Sequence, residues 1–316
     1  MRRIQENMHL EEEPRPVDYF ELAAGTSTGG IIGILLFRFR MTATEAIETY
    51  DEIAKDVFKP KIYGFSIDFL PEKVSSFINN SKTVFQNSRF DGASLESAVH
   101  RVVEKHGLDK EDKRLRGDTL LQHPEAGKFK RHHEGQPRQI TISIATRATS
   151  AAPTYFPEIK WPEGQKETLT FWDGGLLNNN PVDQLWYSRY DLVQPGEPDP
   201  EISCVISLGT GWIKADSPSN YWFNITGVLS TVVIFSTNTN AKAKDFTRHM
   251  TTLNNSEKYA KTKYVRFNPS LKNENIGLAD YHKMDLLKSL AREYVNDPKT
   301  YQWIEKAVEA ICPKSS

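Results

Sequence analysis

The residues best suited to chemistry are a serine set among glycines, Gly25-Thr26-Ser27-Thr28-Gly29-Gly30. A serine hydroxyl becomes an effective nucleophile when a base takes its proton and the backbone holds its oxygen exposed. Glycines two before and two after a serine are typical of the nucleophile elbow, a sharp turn from a strand into a helix. We expect side chains at Gly25 and Gly29 to collide in that turn, and Gly30 to add room. The pattern predicts that Ser27 is the nucleophile of an acyl hydrolase.

A base must accompany that serine, and Asp173 is the first candidate. It follows the apolar stretch 169–172 and precedes Gly174 and Gly175. Its carboxylate is therefore expected at the carboxyl edge of a sheet, where the sites of α/β folds gather. Such a dipeptide also occurs in ordinary Asp-Gly turns, so the spacing alone leaves both interpretations open.

A triad with histidine is the alternative arrangement for the same serine. In the order Ser, Asp, His, the histidine would follow Asp173, and the histidines there are His249 and His282. Both stand in charged, helical surroundings that are typical of surface histidines.

The elements that must position these residues alternate between strand and helix patterns, which favours an α/β layer fold. We expect a strand over 18–24 before the serine and a buried helix over 31–37 after it. Thr42 and Glu45 form a predicted capping box. Further strands are predicted over 140–145, 169–172 and 202–208, and two amphipathic helices near the C-terminus. Residues 107–139 are predicted to form a charged surface excursion, whose basic cluster is Lys128, Lys130, Arg131, His132 and His133.

Composition restricts the partners of the chain. The 316 residues carry a formal net charge of -1, so no global field favours nucleic acid. The two cysteines, Cys204 and Cys312, lie far apart in the sequence and form neither a disulfide framework nor a zinc pattern. We therefore expect no metal and no cofactor. The start has no apolar leader, and the apolar run 31–37 is too short to cross a bilayer. These features predict a cytoplasmic protein whose contact with membranes is peripheral.

Other stretches make the elbow pattern more specific. They are Arg147-Ala148-Thr149-Ser150-Ala151-Ala152-Pro153-Thr154-Tyr155-Phe156-Pro157, Asp173-Gly174-Gly175 with Asn179-Asn180-Pro181 after it, and Ser207-Leu208-Gly209-Thr210-Gly211. Together with the elbow they resemble the patatin-like phospholipase family. Residues 212–316 resemble the C-terminal extension of its fungal-type members.

The resemblance implies a three-layer α/β/α fold with a mostly parallel central sheet. It also implies cleavage of acyl esters in lipids by a dyad without histidine, in which Ser27 is the nucleophile and Asp173 the general base. The reaction would pass through an acyl-Ser27 intermediate and would need no metal. A lipid ester is then the expected partner.

The family pattern opens with an apolar strand and a glycine-rich loop whose N–H groups help to form the oxyanion hole. Residues 1–24 contain no glycine, so we expect an N-terminally truncated chain without that first strand. The chain would then open within the next helix, with Ile4 and Met8 on its apolar side. Thr28 N–H remains as a partial oxyanion donor. We expect an incomplete acyl hydrolase domain over 1–211 and a helical extension over 212–316 packed on the same domain.

Three functions remain open from the sequence. The first is the lipid acyl hydrolase with the Ser27–Asp173 dyad. The second is a catalytically inactive lipid-binding or interaction remnant of the same family, which the missing glycine loop suggests. The third is a Ser-His-Asp triad esterase that uses His249 or His282.

Overall fold

The structure is a computed structural model that describes residues 1–58, 90–106 and 140–312, and the backbone of 61–62 and 65–66. Short gaps within the last range fall at 154, 163, 165–167, 193–195, 213–227, 257–259, 273, 275 and 278. The predicted surface excursion over 107–139, with its basic cluster, lies outside the described residues. The chain divides into two compact units, one of Ala23–Asn178 and one of Met1–Leu22 with Asn179–Ser316. The predicted division near residue 211 stays a prediction.

The described helices alternate with short strands, in agreement with the predicted α/β class. The α-helices are α1 (Arg2–Met8), α2 (Thr28–Gly33), α3 (Ala43–Phe58), α4 (Gly92–His106), α5 (Ile142–Thr149), α6 (Gly175–Asn178), α7 (Val182–Ser188), α8 (Val228–Leu253), α9 (Met284–Asn296) and α10 (Pro298–Ile311). The strands are β1 (Lys61–Ile62), β2 (Phe65–Ser66), β3 (Ile159–Trp161), β4 (Leu169–Phe171), β5 (Cys204–Leu208) and β6 (Lys263–Phe267). Among the described residues, 3₁₀ turns cover Pro16–Asp18, Arg189–Leu192 and Tyr281–Lys283.

In the unit Ala23–Asn178, helices α2 to α5 pack on one another. Helix α2 continues as a π-helical turn over Ile34–Arg38, which confirms the helix predicted after the serine. The predicted burial holds for Ile31 and Leu35, whereas Ile32 is exposed. Helix α4 packs against both α3 and α5, and α5 also contacts α2. The short strands pair antiparallel, β1 with β2 and β3 with β4. Helix α5 therefore packs both on α4 and on α2, the helix that begins after Ser27.

The strand predicted over 140–145 is wrong, because helix α5 begins at Ile142. The alternation of Ile with Ser and Thr resembles a half-buried strand, but the buried residues Ile142, Ser143, Thr146 and Arg147 recur with helical spacing. Thr141 caps the helix, since its side chain accepts the N–H of Ile144 at 3.2 Å. Because this face packs against α4, the segment is stabilised as a helix rather than as a strand.

The strand predicted over 18–24 is also wrong. Pro14 and Pro16 have no N–H to give to a ladder. The N–H groups of Tyr19 and Phe20 turn back to the carbonyl of Pro16, both at 3.1 Å. Residues 19–26 are therefore irregular rather than a strand.

A buried cation holds α5 against α4. Arg147 is buried, and its Nε donates to Glu96 Oε1 at 3.0 Å. Its guanidinium takes the space that a Cβ at Gly92 would need, and it lies 5.9 Å from the ring centre of Phe156. Phe156 in turn packs with Phe90 at a centroid distance of 5.9 Å. These contacts fix the segment that follows α5.

The second unit is built on the parallel pair β5–β6, with Cys204 opposite Lys263 and Leu208 opposite Phe267. Strand β5 confirms the strand predicted over 202–208, and α9 and α10 confirm the two C-terminal helices. In the first unit, β4 confirms the strand predicted over 169–172. The core of this unit contains Val182, Trp186, Val205, Phe246 and Met250.

Helix α1 packs on α10 in this unit. Arg3 donates to Glu305 at 2.6 Å and lies 5.0 Å from the ring centre of Tyr301. Ile4 is 2% exposed, as predicted, whereas Met8 is 50% exposed, so the prediction that both face the core is wrong for Met8. In the described part of the chain, no helix combines the length and apolar character needed to span a membrane.

The capping box of α3 gives a test of local stability. Glu45 N–H donates to Thr42 Oγ1 at 3.2 Å and Thr42 N–H donates to Glu45 Oε2 at 2.8 Å, as predicted. We expect Thr42→Ala to lower the free energy of unfolding by about 1 kcal/mol, measured by urea denaturation. Thr42→Ser retains the oxygen and should stay close to the wild-type value. An unchanged midpoint in Thr42→Ala would show that the cap adds no stability.

Candidate active site

Ser27 lies at a sharp turn and begins the helix α2 as its N-cap. Its backbone has φ 55° and ψ -123°, a conformation that non-glycine residues rarely adopt and that costs about 1–3 kcal/mol. The turn is closed by Gly29 N–H donating to Thr26 C=O and Gly30 N–H donating to Ser27 C=O, both at 2.9 Å. The side chain of Ser27 is half-buried. Ser27 therefore lies at a strained turn into a helix, as the elbow pattern predicts, whereas the strand predicted before it is not formed.

The glycines of the turn have different roles. A Cβ at Gly25 would collide with the Gly29 carbonyl and lie 2.6 Å from Gly30 N, so the collision predicted there is confirmed. The collision predicted at Gly29 is wrong, because a Cβ there would meet no described atom within 4 Å outside its own helix. At Gly30 a Cβ would lie 2.7 Å from Thr149 Oγ1. Close packing therefore requires glycine at 25 and 30.

Hydrogen bonds from outside the helix hold the elbow. Ser27 N–H donates to Thr149 Oγ1 at 3.0 Å, and Thr26 Oγ1 donates to Asn178 C=O at 2.7 Å. The Thr28 and Tyr50 hydroxyls lie 3.2 Å apart. Burial raises the pKa of Tyr50, so its phenol stays neutral. The elbow is thus tied to α5, α6 and α3.

Asp173 directly follows β4 and is 3% exposed. Its N–H donates to Ala151 C=O at 2.9 Å, and its Oδ1 accepts the N–H of Gly175 at 2.7 Å. Burial raises the pKa of Asp173, while the hydrogen bonds from Gly175 N–H and the Ser27 side chain act to lower it. The structure therefore brings Asp173 together with Ser27.

The Asp-Gly-Gly motif also packs on the elbow. A Cβ at Gly174 would lie 3.2 Å from Thr26 Cγ2, which is tighter than ordinary contact. Gly175 begins α6, and Asn178 at the end of α6 accepts the Thr26 hydroxyl. The two predicted motifs form one packed cluster.

Sequence reasoning did not assign roles to Thr149, Ala151 or Tyr50. Thr149 and Ala151 lie in the stretch 147–157, which was noted for its resemblance alone. Because residues 140–145 were predicted to form a strand, the sequence provided no reason to expect a helix end, and with it Thr149 and Ala151, beside Ser27.

His249 and His282 lie in the other compact unit. Both are exposed. The ring of His249 meets Trp186 edge-on at 6.2 Å, and that of His282 meets Tyr281 at 6.0 Å. Within the described ranges, no group of three or more His, Cys, Asp or Glu side chains is placed to hold a metal ion.

The described structure is an α/β fold in which the turn at Ser27 packs against the Asp-Gly-Gly motif that follows β4. The sequence pattern of the Patatin-like phospholipase family matches residues 3–186. The chain belongs to this family, which confirms the resemblance and the predicted α/β fold.

Three relatives are similar to the chain over 187 to 250 residues. Calcium-independent phospholipase A2-gamma of Oryctolagus cuniculus is 27% identical over 250 residues, covering 73% of this chain and 29% of that protein. Patatin-like protein 2 of Oryza sativa subsp. indica is 30% identical over 187 residues, covering 54% of this chain and 43% of that protein. Patatin-like protein 2 of Arabidopsis thaliana is 28% identical over 239 residues, covering 66% and 54%. The chain thus matches between 29% and 54% of the length of these proteins.

Two glycines of α2 and its turn test the close packing at the elbow. Gly25→Ala should strongly destabilise the unit or shift the elbow, because its Cβ would overlap backbone atoms that cannot move aside. Gly33→Ala is the matched control, since a Cβ there meets no described atom within 4 Å outside its own helix. That control should raise the free energy of unfolding by about 0.5–1 kcal/mol. Urea denaturation of both variants measures the difference, and equal stability would contradict the packing argument.

Proposed function

We propose that this chain hydrolyses acyl esters of lipids, with Ser27 as nucleophile and Asp173 as general base. The observation that carries the proposal is that one short segment holds both residues: Thr149 Oγ1 accepts the Ser27 N–H and Ala151 C=O accepts the N–H of the buried Asp173. The Ser27 side chain is also among the groups that lower the pKa of Asp173. Membership of the Patatin-like phospholipase family supports a lipid ester as the substrate class.

The environment of Asp173 supports its role as a base. A carboxylate removed from water becomes a stronger base, because burial disfavours its charged form. Its pKa is raised by burial, which brings it closer to the range in which a carboxylate takes a proton effectively near neutral pH. The bond from Gly175 N–H fixes one carboxylate oxygen. The burial of Asp173 and the bond from Gly175 N–H both support the proposed role of Asp173 as the base.

The proposed reaction proceeds in two steps. In the first, Ser27 Oγ attacks the acyl carbon while its proton passes to Asp173, and the alcohol leaves as it takes that proton. In the second, water gives a proton to Asp173 and attacks the acyl-Ser27 ester. Ser27 Oγ then leaves with the proton, the free acid departs and the Asp173 carboxylate is restored.

The oxyanion formed in each step needs donors at the start of α2. The Gly29 and Gly30 N–H groups already donate to Thr26 and Ser27 carbonyls. The Thr28 N–H has no acceptor among the described residues, so it is the proposed donor. The helix N-terminus adds a partial positive charge at the same place. A single such donor is worth about 10²–10³ in rate.

Fluorophosphonate labelling tests the nucleophile. We expect the wild-type chain to be labelled at Ser27 and Ser27→Ala to be unlabelled while remaining folded, because the reactive oxygen is gone. Intact-protein mass spectrometry reads out the label, and release of fatty acid from a short-chain phospholipid reads out turnover.

The controls for this test are His249→Ala and His282→Ala, which should both label at the wild-type rate. Loss of labelling in either variant would favour the triad esterase. A folded wild-type chain that is unlabelled but sediments with liposomes would contradict catalysis and favour the lipid-binding remnant.

The pH dependence of labelling tests the base. Labelling requires deprotonated Asp173, so the rate should be full above the pKa of folded Asp173 and fall as pH drops through it. The midpoint should lie above about 4, the ordinary value for Asp, because burial raises the pKa. Asp173→Asn should slow labelling by about 10²–10⁴-fold and remove this acid limb. An Asp173→Asn variant with the wild-type rate and profile would exclude Asp173 as the base.

A further inference from the structure

The end of α5 contacts both residues of the proposed dyad. Thr149, its last residue, accepts the Ser27 N–H on its Oγ1 at 3.0 Å. Two residues later, the Ala151 carbonyl accepts the Asp173 N–H at 2.9 Å. A segment of three residues therefore holds the backbones of Ser27 and Asp173 at the same time.

From this we infer that Thr149 is a positioning residue: its hydroxyl oxygen holds Ser27 in the strained turn that presents Oγ to Asp173. The inference rests on the proposed function for its catalytic consequence. Thr149 acts through the Ser27 N–H and has no part in the proton transfers.

The backbone of Ser27 explains why this acceptor matters. Ser27 is the N-cap of α2, and the N–H groups at a helix start have no intrahelical acceptor. With φ 55°, Ser27 also lies in a conformation that is disfavoured unless its surroundings impose it. Thr149 Oγ1 satisfies the Ser27 N–H in that conformation. Removing this oxygen leaves the N–H of a half-buried residue unpaired and weakens the hold on the turn.

The packing at Gly30 supplies a second, independent observation. A Cβ at Gly30 would lie 2.7 Å from Thr149 Oγ1, 3.0 Å from Cγ2 and 3.2 Å from Cβ. Thr149 therefore lies flat against the first turn of α2, which leaves its side chain little freedom to turn away. Glycine at position 30 allows the approach that brings Oγ1 within reach of the Ser27 N–H.

The anchoring of α5 explains how the contact is kept in place. Arg147, two residues before Thr149, is buried and paired with Glu96 on α4. The Ser150 N–H donates to Arg147 C=O at 3.2 Å. The helix end that carries Thr149 is thus held by α4 rather than by the elbow, so it can serve as a fixed support for the strained turn.

The experiment compares Thr149→Val with Thr149→Ser in the full chain. Valine keeps the shape of threonine but removes the acceptor, whereas serine keeps the oxygen. We expect Thr149→Val to lower kcat for a short-chain phospholipid by about 10–100-fold with KM within about 3-fold, since a small misplacement of a reacting group costs this much. Thr149→Ser should recover kcat to within about 3-fold of wild type.

Thr146→Val is the matched control. Thr146 lies in the same helix, is buried and donates from Oγ1 to Ile142 C=O at 2.8 Å. It should lower stability without changing the kcat of the folded fraction. If Thr149→Val keeps the wild-type kcat, or if Thr146→Val loses as much, the positioning role is overturned.

Hydrogen exchange separates this inference from the proposed function. The Ser27 amide should exchange at least about 10-fold faster in Thr149→Val than in wild type and stay protected in Thr149→Ser, because its acceptor is lost in the first alone. If wild type neither labels nor turns over but this exchange pattern holds, the proposed function fails and the hold of Thr149 on Ser27 stands. Unchanged Ser27 exchange in Thr149→Val overturns the inference whatever the activity.

Discussion

The left-handed backbone of Ser27 is the constraint on which the site depends. With φ 55° and ψ -123°, Ser27 has an unfavourable backbone conformation, which persists because the surrounding contacts impose it. Gly25 lets the chain pass against the Gly29 carbonyl. Thr149 accepts the Ser27 N–H, and Asn178 accepts the Thr26 hydroxyl. The strained residue is thus held from several sides, which its proposed role as the nucleophile requires.

Helix α5 connects this turn to the rest of its unit. Its buried Arg147 is paired with Glu96, and its last residue supports Ser27. The chain just beyond it, at Ala151, supports Asp173. The position of Ser27 relative to Asp173 therefore depends on one short segment, and the stability of α5 is directly relevant to the proposed chemistry.

Burial and hydrogen bonding act in opposite directions on Asp173. Burial raises its pKa, and the donors Gly175 N–H and Ser27 lower it. The net result is a raised pKa, which is the direction that the proposed role of Asp173 as a base requires.

The sequence by itself determined the features that depend on neighbours along the chain. The elbow, the capping box of α3 and strand β4 were predicted because a few adjacent residues specify such turns, caps and alternations. The strand predicted over 140–145 was wrong because alternation is ambiguous until burial against α4 is known. Tertiary structure alone decided that Thr149 accepts the Ser27 N–H, a contact between residues 122 apart in sequence, and that Ala151 accepts the Asp173 N–H. Such pairings arise from packing, which local sequence patterns do not encode.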